Sequence, residues 1–121
     1  MNFAFARQEY HALQIQNDQL IDTPHGVIEK TLEVLLMELQ CLKDMDSMDR
    51  RNQARTKSLI ALNILQTSLD FKPDENLAGN LFLLYEFIKN SVLNYKEQID
   101  DLIVSIQIVS ELHESWCSIN S

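Results

Sequence analysis

The histidines and cysteines are the residues whose types and spacing could support metal binding or nucleophilic catalysis. A di-iron centre in a helical bundle needs inward glutamates and Glu-x-x-His pairs on facing helices. None of the three histidines, His11, His25 and His113, lies three residues after a glutamate. We therefore expect no metal site and no cofactor.

The two cysteines, Cys41 and Cys117, form no C-x-x-C pattern, so no disulfide framework is indicated and a reducing cytoplasm is the simpler location. Cys41 lies in an apolar helical pattern, where a free cysteine usually packs as a small hydrophobic residue. A reactive thiol would need an open, electropositive setting, which the sequence does not offer. Gly26 and Gly79 stand alone, so there is no glycine-rich phosphate loop. We therefore expect a protein that is not an enzyme.

Length and charge exclude several further classes of function. The chain has 121 residues and a net charge of −8, which suits a single domain over residues 1–121. Nucleic-acid binding through a general field needs lysine and arginine against the phosphates, so this acidity argues against it. No apolar run approaches the ~18 residues of a membrane span, and the N-terminus does not resemble a signal peptide. We expect a cytoplasmic protein without stable membrane insertion.

The apolar residues recur at helical spacing, and Gly and Pro, two each, are too scarce for a turn-rich β fold. Thr23 followed by Pro24 predicts a helix start, because Thr is a good N-cap and Pro suits the first helical position. Four helices are predicted. The first covers residues 24–45. The second could be capped by Ser47 or Asp49 and ends at Leu69, and the last two cover 74–95 and 99–116.

Short connections between long helices place neighbours antiparallel. We predict an all-α fold, an antiparallel up-down four-helix bundle whose core spans residues 24–118. Residues 1–20 carry only a thin apolar stripe, and an isolated helix of this length is marginal in water. They are predicted to form an extra N-terminal helix or a mobile lid segment.

Two segments, Val27 to Leu42 and Asn80 to Ile88, are apolar over more than one helical face. On the helix over 74–95 one apolar stripe is made of Leu77, Leu81, Leu84, Ile88 and Val92. The apolar excess is either additional core or a binding face, and the sequence favours the two equally. An interaction protein is the function class that remains.

Several short motifs resemble those of FliS-type flagellin export chaperones, in matching order and spacing. They are Tyr10; Thr23-Pro24-His25 followed by an aliphatic pair; Ser68-Leu69-Asp70; Asn80-Leu81 with Leu84-Tyr85; and Glu114-Ser115-Trp116. The resemblance covers nearly the whole chain, from Tyr10 to Trp116. It implies a cytoplasmic antiparallel bundle that binds the disordered C-terminal segment of flagellin. Such a chaperone prevents premature polymerisation of flagellin and assists its delivery to the flagellar secretion apparatus.

The motifs and the apolar excess together predict the residues that contact this partner. They are Tyr10, Pro24, Ile28, Leu32, Leu35, Leu81, Leu84, Tyr85 and Ile88. Two alternatives stay open: a helical-bundle adaptor or chaperone for another secreted or helical partner, and a small bundle enzyme or metal protein. The protein is expected to be a monomer or a weak homodimer.

Overall fold

A computed structural model describes residues 23–119 of the chain. This part of the protein contains four α-helices and no β-strand: α1 (Pro24–Asp44), α2 (Met48–Thr67), α3 (Glu75–Leu93) and α4 (Ile99–Cys117). The predicted all-α class is confirmed. The predicted helix of residues 1–20 lies outside the described residues.

Side-chain caps fix the starts of three helices. Thr23, Ser47 and Asp74 each accept a hydrogen bond from the backbone N–H three residues further on, at 3.0, 3.3 and 3.0 Å. These bonds satisfy donors that have no partner within the helix. The cap predicted at Thr23 is confirmed, and Ser47 rather than Asp49 caps α2. Gln98, at the start of α4, makes no side-chain cap bond.

The second and third helices end two residues before their predicted ends. α2 stops at Thr67, whose hydroxyl donates to the backbone carbonyls of Asn63 and Ile64. That side-chain bonding competes with the helical pattern, as serine and threonine commonly do near helix ends. α3 stops at Leu93, and the Asn94 backbone N–H then closes the helix on the carbonyl of Asn90.

Each helix packs against two others, in the cyclic order α1, α2, α3, α4 and back to α1. The α1–α2 contact is the most extensive and the α3–α4 contact the least. Contacts between opposite helix ends show that neighbours run antiparallel. For example, Arg50 at the start of α2 reaches Glu38 in the second half of α1. The fold is therefore the predicted up-down four-helix bundle.

All four helices contribute to the core. The large side chains with almost no exposure are Val27, Leu35, Leu39, Leu42, Leu62, Ile64, Leu65, Ile88, Val92 and Leu102. Along the apolar stripe of α3, Ile88 and Val92 are fully buried, whereas Leu77 is 55% exposed. It lies at one end of the bundle, where residues 70–77 are all exposed and no neighbouring helix covers them.

A buried ion pair joins α1 to α2. Glu38 is 1% exposed, and its carboxylate lies 3.0 Å from the Arg50 guanidinium. The hydrogen bond from this guanidinium to Glu38 raises the pKa of Arg50. A second Arg50 nitrogen lies 3.2 Å from the Cys41 sulfur. Because a buried charge is stable only when paired, this contact fixes how the two helices are aligned.

Candidate partner-binding surface

Four of the predicted partner-binding residues lie inside the bundle. Leu32, Leu35, Tyr85 and Ile88 are buried and belong to one hydrophobic cluster. A partner resting on the closed bundle would not reach them, since core side chains are enclosed by their neighbours. Their direct contact with a partner stays a prediction.

The other predicted partner-binding residues lie nearer the surface or outside the described region. Ile28, Leu81 and Leu84 are partly buried, and Ile28 and Leu81 pack against the core. Pro24 is exposed in the first turn of α1. Tyr10 lies outside the described residues. The structure therefore does not gather the predicted set into one groove.

Exposed apolar side chains cluster instead on the outward face of α3. Phe82, Leu83 and Phe87 are exposed on this helix, and Phe71 is exposed on the connection that precedes it. We call these four residues the outer α3 surface. Leu83 and Phe87 are four residues apart, so they lie on the same helical face. Large exposed apolar patches on a protein surface commonly mark interaction sites.

A depression of about 540 Å³ opens on this surface. Its apolar lining comes from Phe71, Phe82, Leu83 and Gly79, and its polar lining comes from Glu75, Asn76 and Asn80. A methyl group at Gly79 would meet no atom within 4 Å, so the space above this glycine is open. The combination of aromatic walls and carboxamides suits an apolar side chain presented by a peptide whose backbone can hydrogen-bond.

Polar contacts anchor the α2 side of α3. The Gln66 side-chain amide donates to the Glu86 carboxylate at 2.7 Å, and Lys89 lies 3.1 Å from the same carboxylate. The hydrogen bonds from Gln66 and Lys89 lower the pKa of Glu86. The Glu86 carboxylate is therefore charged at neutral pH, and it forms a polar border beside the outer α3 surface.

The two motifs at the ends of the described chain meet in the fold. The Trp116 indole N–H donates to the His25 carbonyl oxygen at 3.0 Å, and His25 Nε2 lies 3.2 Å from the Trp116 carbonyl oxygen. The two rings stack with centroids 4.9 Å apart and planes at 16°. This pair joins the start of α1 to the end of α4, so these motif residues have a structural role in closing the bundle.

The cysteines show no sign of catalytic activation. The Cys117 sulfur lies 3.5 Å from His113 Nε2, which is the nearest approach to a Cys–His pair among the described residues. Desolvation and, after it, the Glu29 carboxylate raise the pKa of the thiol of Cys117, which is an exposed residue. A raised pKa favours the thiol over the nucleophilic thiolate. Within residues 23–119, no three His, Cys, Asp or Glu side chains are placed to hold a metal ion.

One pattern in the sequence indicated the outer α3 surface. The segment Asn80 to Ile88 is apolar on nearly all sides of the helix, and such a helix is either central in the core or offers a face to a partner. Periodicity could not say which apolar residues face outward. Phe71 was not predicted as a partner contact, because it lies in a connection, outside any helical pattern.

The bundle is closed by the stacked His25–Trp116 pair and carries an exposed apolar surface, which is typical of a protein-binding module. The family model described as flagellar protein FliS matches residues 6–121, nearly the whole chain. The chain therefore belongs to the FliS family, whose members serve as flagellar export chaperones rather than as enzymes.

No curated protein and no solved structure gives a significant match to this chain. Within the part of the chain that the structure describes, no helix has both the length and the apolar character that a membrane span requires.

Proposed function

We propose that this protein binds the disordered C-terminal segment of flagellin in the cytoplasm, prevents its premature polymerisation and assists its delivery to the secretion apparatus. Membership of the FliS family supports the role. The observation that carries the binding mode is the outer α3 surface, an apolar patch on a chain with a net charge of −8. A flagellin segment that orders on binding can bury its apolar side chains there.

The outer α3 surface offers enough apolar area for such a partner to use. Leu83 is 66% exposed, so about two thirds of its surface is still available for burial. Full burial of a leucine stabilises by roughly 1.5–3 kcal/mol, which gives about 1–2 kcal/mol for the remaining part of Leu83. Phe71, Phe82 and Phe87 add aromatic area of the kind that dominates protein interfaces. The depression beside Gly79 would receive one apolar side chain of the segment.

The proposed role of the predicted contacts follows from their burial. Leu81 and Leu84 lie on α3, close enough to the outer α3 surface to border a bound segment. Ile28 lies on α1, across the bundle, and would contact the segment only where it extends beyond that surface. Leu32, Leu35, Tyr85 and Ile88 would support that surface from within, unless the bundle opens on binding. We also propose that residues 1–20 cover apolar surface when flagellin is absent, and that residues 1–121 act as one domain, as a monomer or a weak homodimer.

Titration calorimetry with monomeric flagellin tests the proposal. We expect one-to-one binding with a negative heat-capacity change, because apolar surface is buried. Flagellin that lacks its C-terminal helix should bind much more weakly. Equal binding of the two forms would contradict the proposed segment, and no binding of either would favour an adaptor for another helical partner.

A matched pair of variants tests the proposed surface. Leu83→Ser should weaken flagellin binding roughly fivefold or more, as expected from the loss of about 1–2 kcal/mol. Met37→Ser is the control, because Met37 is 52% exposed on α1, diagonally across the bundle from α3. Equal affinities of the two variants would place the flagellin contact elsewhere on the bundle.

A further inference from the structure

A second depression lies at the end of the bundle where the α1–α2 and α3–α4 connections meet. It has a volume of about 250 Å³ and is lined by Leu42, Lys43, Arg51, Tyr95, Lys96 and Ile99. We call it the basic depression, because three of its six lining residues are cationic and none is acidic. Acidic residues such as Asp44 and Asp100 are adjacent in sequence but are not part of the lining.

The basic depression adjoins another of about 190 Å³, since both are lined by Tyr95 and Lys96. The second one adds the guanidinium of Arg55, together with one acidic residue, Glu97. This guanidinium donates through Nη2 to the Leu93 carbonyl oxygen at 3.5 Å. The two depressions therefore lie side by side at this end of the bundle.

The cationic groups of the basic depression keep donors free for a ligand. Arg51 uses its Nε–H to hold the Met45 carbonyl at 2.6 Å, which fixes the guanidinium and leaves its terminal nitrogens available. Lys96 Nζ lies 5.9 Å from the Tyr95 ring centroid and forms no ion pair with another described residue. Lys43 is paired with Asp44 at 2.8 Å, so its charge is partly compensated.

We propose that the basic depression docks a short acidic peptide segment of a partner protein. Charge complementarity supports this occupant, since carboxylates match an anchored guanidinium and an ammonium group that forms no ion pair within residues 23–119. Leu42, Tyr95 and Ile99 add apolar walls against which the methylene groups of Glu side chains can pack. The protein has a net charge of −8, so the attraction for an acidic chain comes from the cationic lining of the depression and not from the charge of the whole molecule. The site lies apart from the outer α3 surface and does not depend on flagellin binding.

Calorimetry and amide chemical shifts with a hexaglutamate peptide test the proposal, with hexaglutamine as the uncharged control. At low ionic strength hexaglutamate should bind, should shift the amides of residues 43, 51 and 95–99, and should weaken with added salt. The double variant Lys43→Gln with Lys96→Gln should bind roughly fivefold more weakly, because it removes two exposed charges that line the depression. Both lysines are on the surface, and unchanged far-UV circular dichroism would show that the bundle is intact.

Lys72→Gln is the matched control, because Lys72 is an exposed cation in the α2–α3 connection at the opposite end of the bundle. Its affinity for hexaglutamate should equal that of the unmodified protein. Lys72→Gln removes one charge and the double variant removes two, so a loss of binding free energy in Lys72→Gln that is half as large or larger would show that the effect depends only on net charge. That result would overturn the proposal. Absence of hexaglutamate binding, equal binding of hexaglutamine, or binding of inorganic phosphate as tight as that of the peptide would overturn it as well.

Discussion

Truncation of Trp116 to alanine should destabilise the bundle by about 2–4 kcal/mol. Replacement of a fully buried large aromatic residue by alanine costs about 3–5 kcal/mol. Trp116 is only partly buried, although it packs against the core, so the transfer contribution is smaller than that range. The indole hydrogen bond to the His25 carbonyl and the stacked ring pair each contribute about 0.5–1.5 kcal/mol. These losses overlap, because all three arise from the same contact.

Trp116→Phe separates the polar part of this contact from the apolar part. Phenylalanine keeps an aromatic ring that can stack on His25 but removes the indole N–H. The His25 carbonyl lies in the first turn of α1 and has a backbone partner within the helix, so it is not left without a hydrogen bond. We therefore expect a cost of about 1 kcal/mol, close to that of one ordinary hydrogen bond.

Urea unfolding followed by far-UV circular dichroism measures both changes, since Trp116 is the only tryptophan and its fluorescence is lost in the variants. Ile103→Ala is a suitable control on the same helix, because Ile103 is exposed and its truncation should cost about 0.5 kcal/mol or less. An unfolding midpoint for Trp116→Ala equal to that of Ile103→Ala would refute the role of the His25–Trp116 contact in closing the bundle.

Three further predictions concern the ion pair, Tyr85 and the N-terminal segment. Arg50→Met should cost about 2–4 kcal/mol in urea unfolding, because it leaves the Glu38 carboxylate buried without a partner. Adding Glu38→Leu should recover part of that loss, and a larger loss in the double variant would contradict this explanation. Burial raises the pKa of Tyr85 to about 12, so the unfolded chain loses this proton first and the free energy of unfolding should fall as pH rises from 10 towards 12. Tyr85→Phe should remove that part of the pH dependence, and an unchanged slope would show that Tyr85 is not its source. Deletion of residues 1–19 should leave a folded, cooperatively unfolding bundle that binds flagellin equally or more tightly, since a covering segment lowers apparent affinity; collapse of the bundle would show that these residues belong to the core.

The sequence alone determined the class of fold and most of its helix starts. Thr23 and Asp74 each accept a hydrogen bond from the backbone N–H three residues further on. Because these contacts are local, short-range chemistry suffices to predict the helix starts beside them. The helical spacing of apolar residues and the short connections then leave few arrangements other than an up-down bundle. The ends of α2 and α3 were less predictable, because side-chain bonding and fraying decide them.

Only the tertiary structure decided which apolar residues remain on the surface. Leu83 and Ile88 belong to the same apolar segment, yet Leu83 is largely exposed and Ile88 is fully buried. The difference depends on the side of α3 that meets α2 and α4, and a segment apolar all round carries no periodic signal of that orientation. The predicted contacts Leu32 and Leu35 lie on α1, in a segment that is also apolar over more than one face. The sequence therefore did not show that they face the core.

The ion pair and the basic depression also depend on contacts between helices. Glu38 and Arg50 lie on different helices, and neither residue alone signals that its charge will be buried against the other. Lys43, Arg51 and Lys96 reach one depression because the antiparallel order brings two connections to the same end of the bundle. Sequence patterns report local spacing, whereas these sites depend on how the helices are placed against one another, which packing of the whole bundle determines.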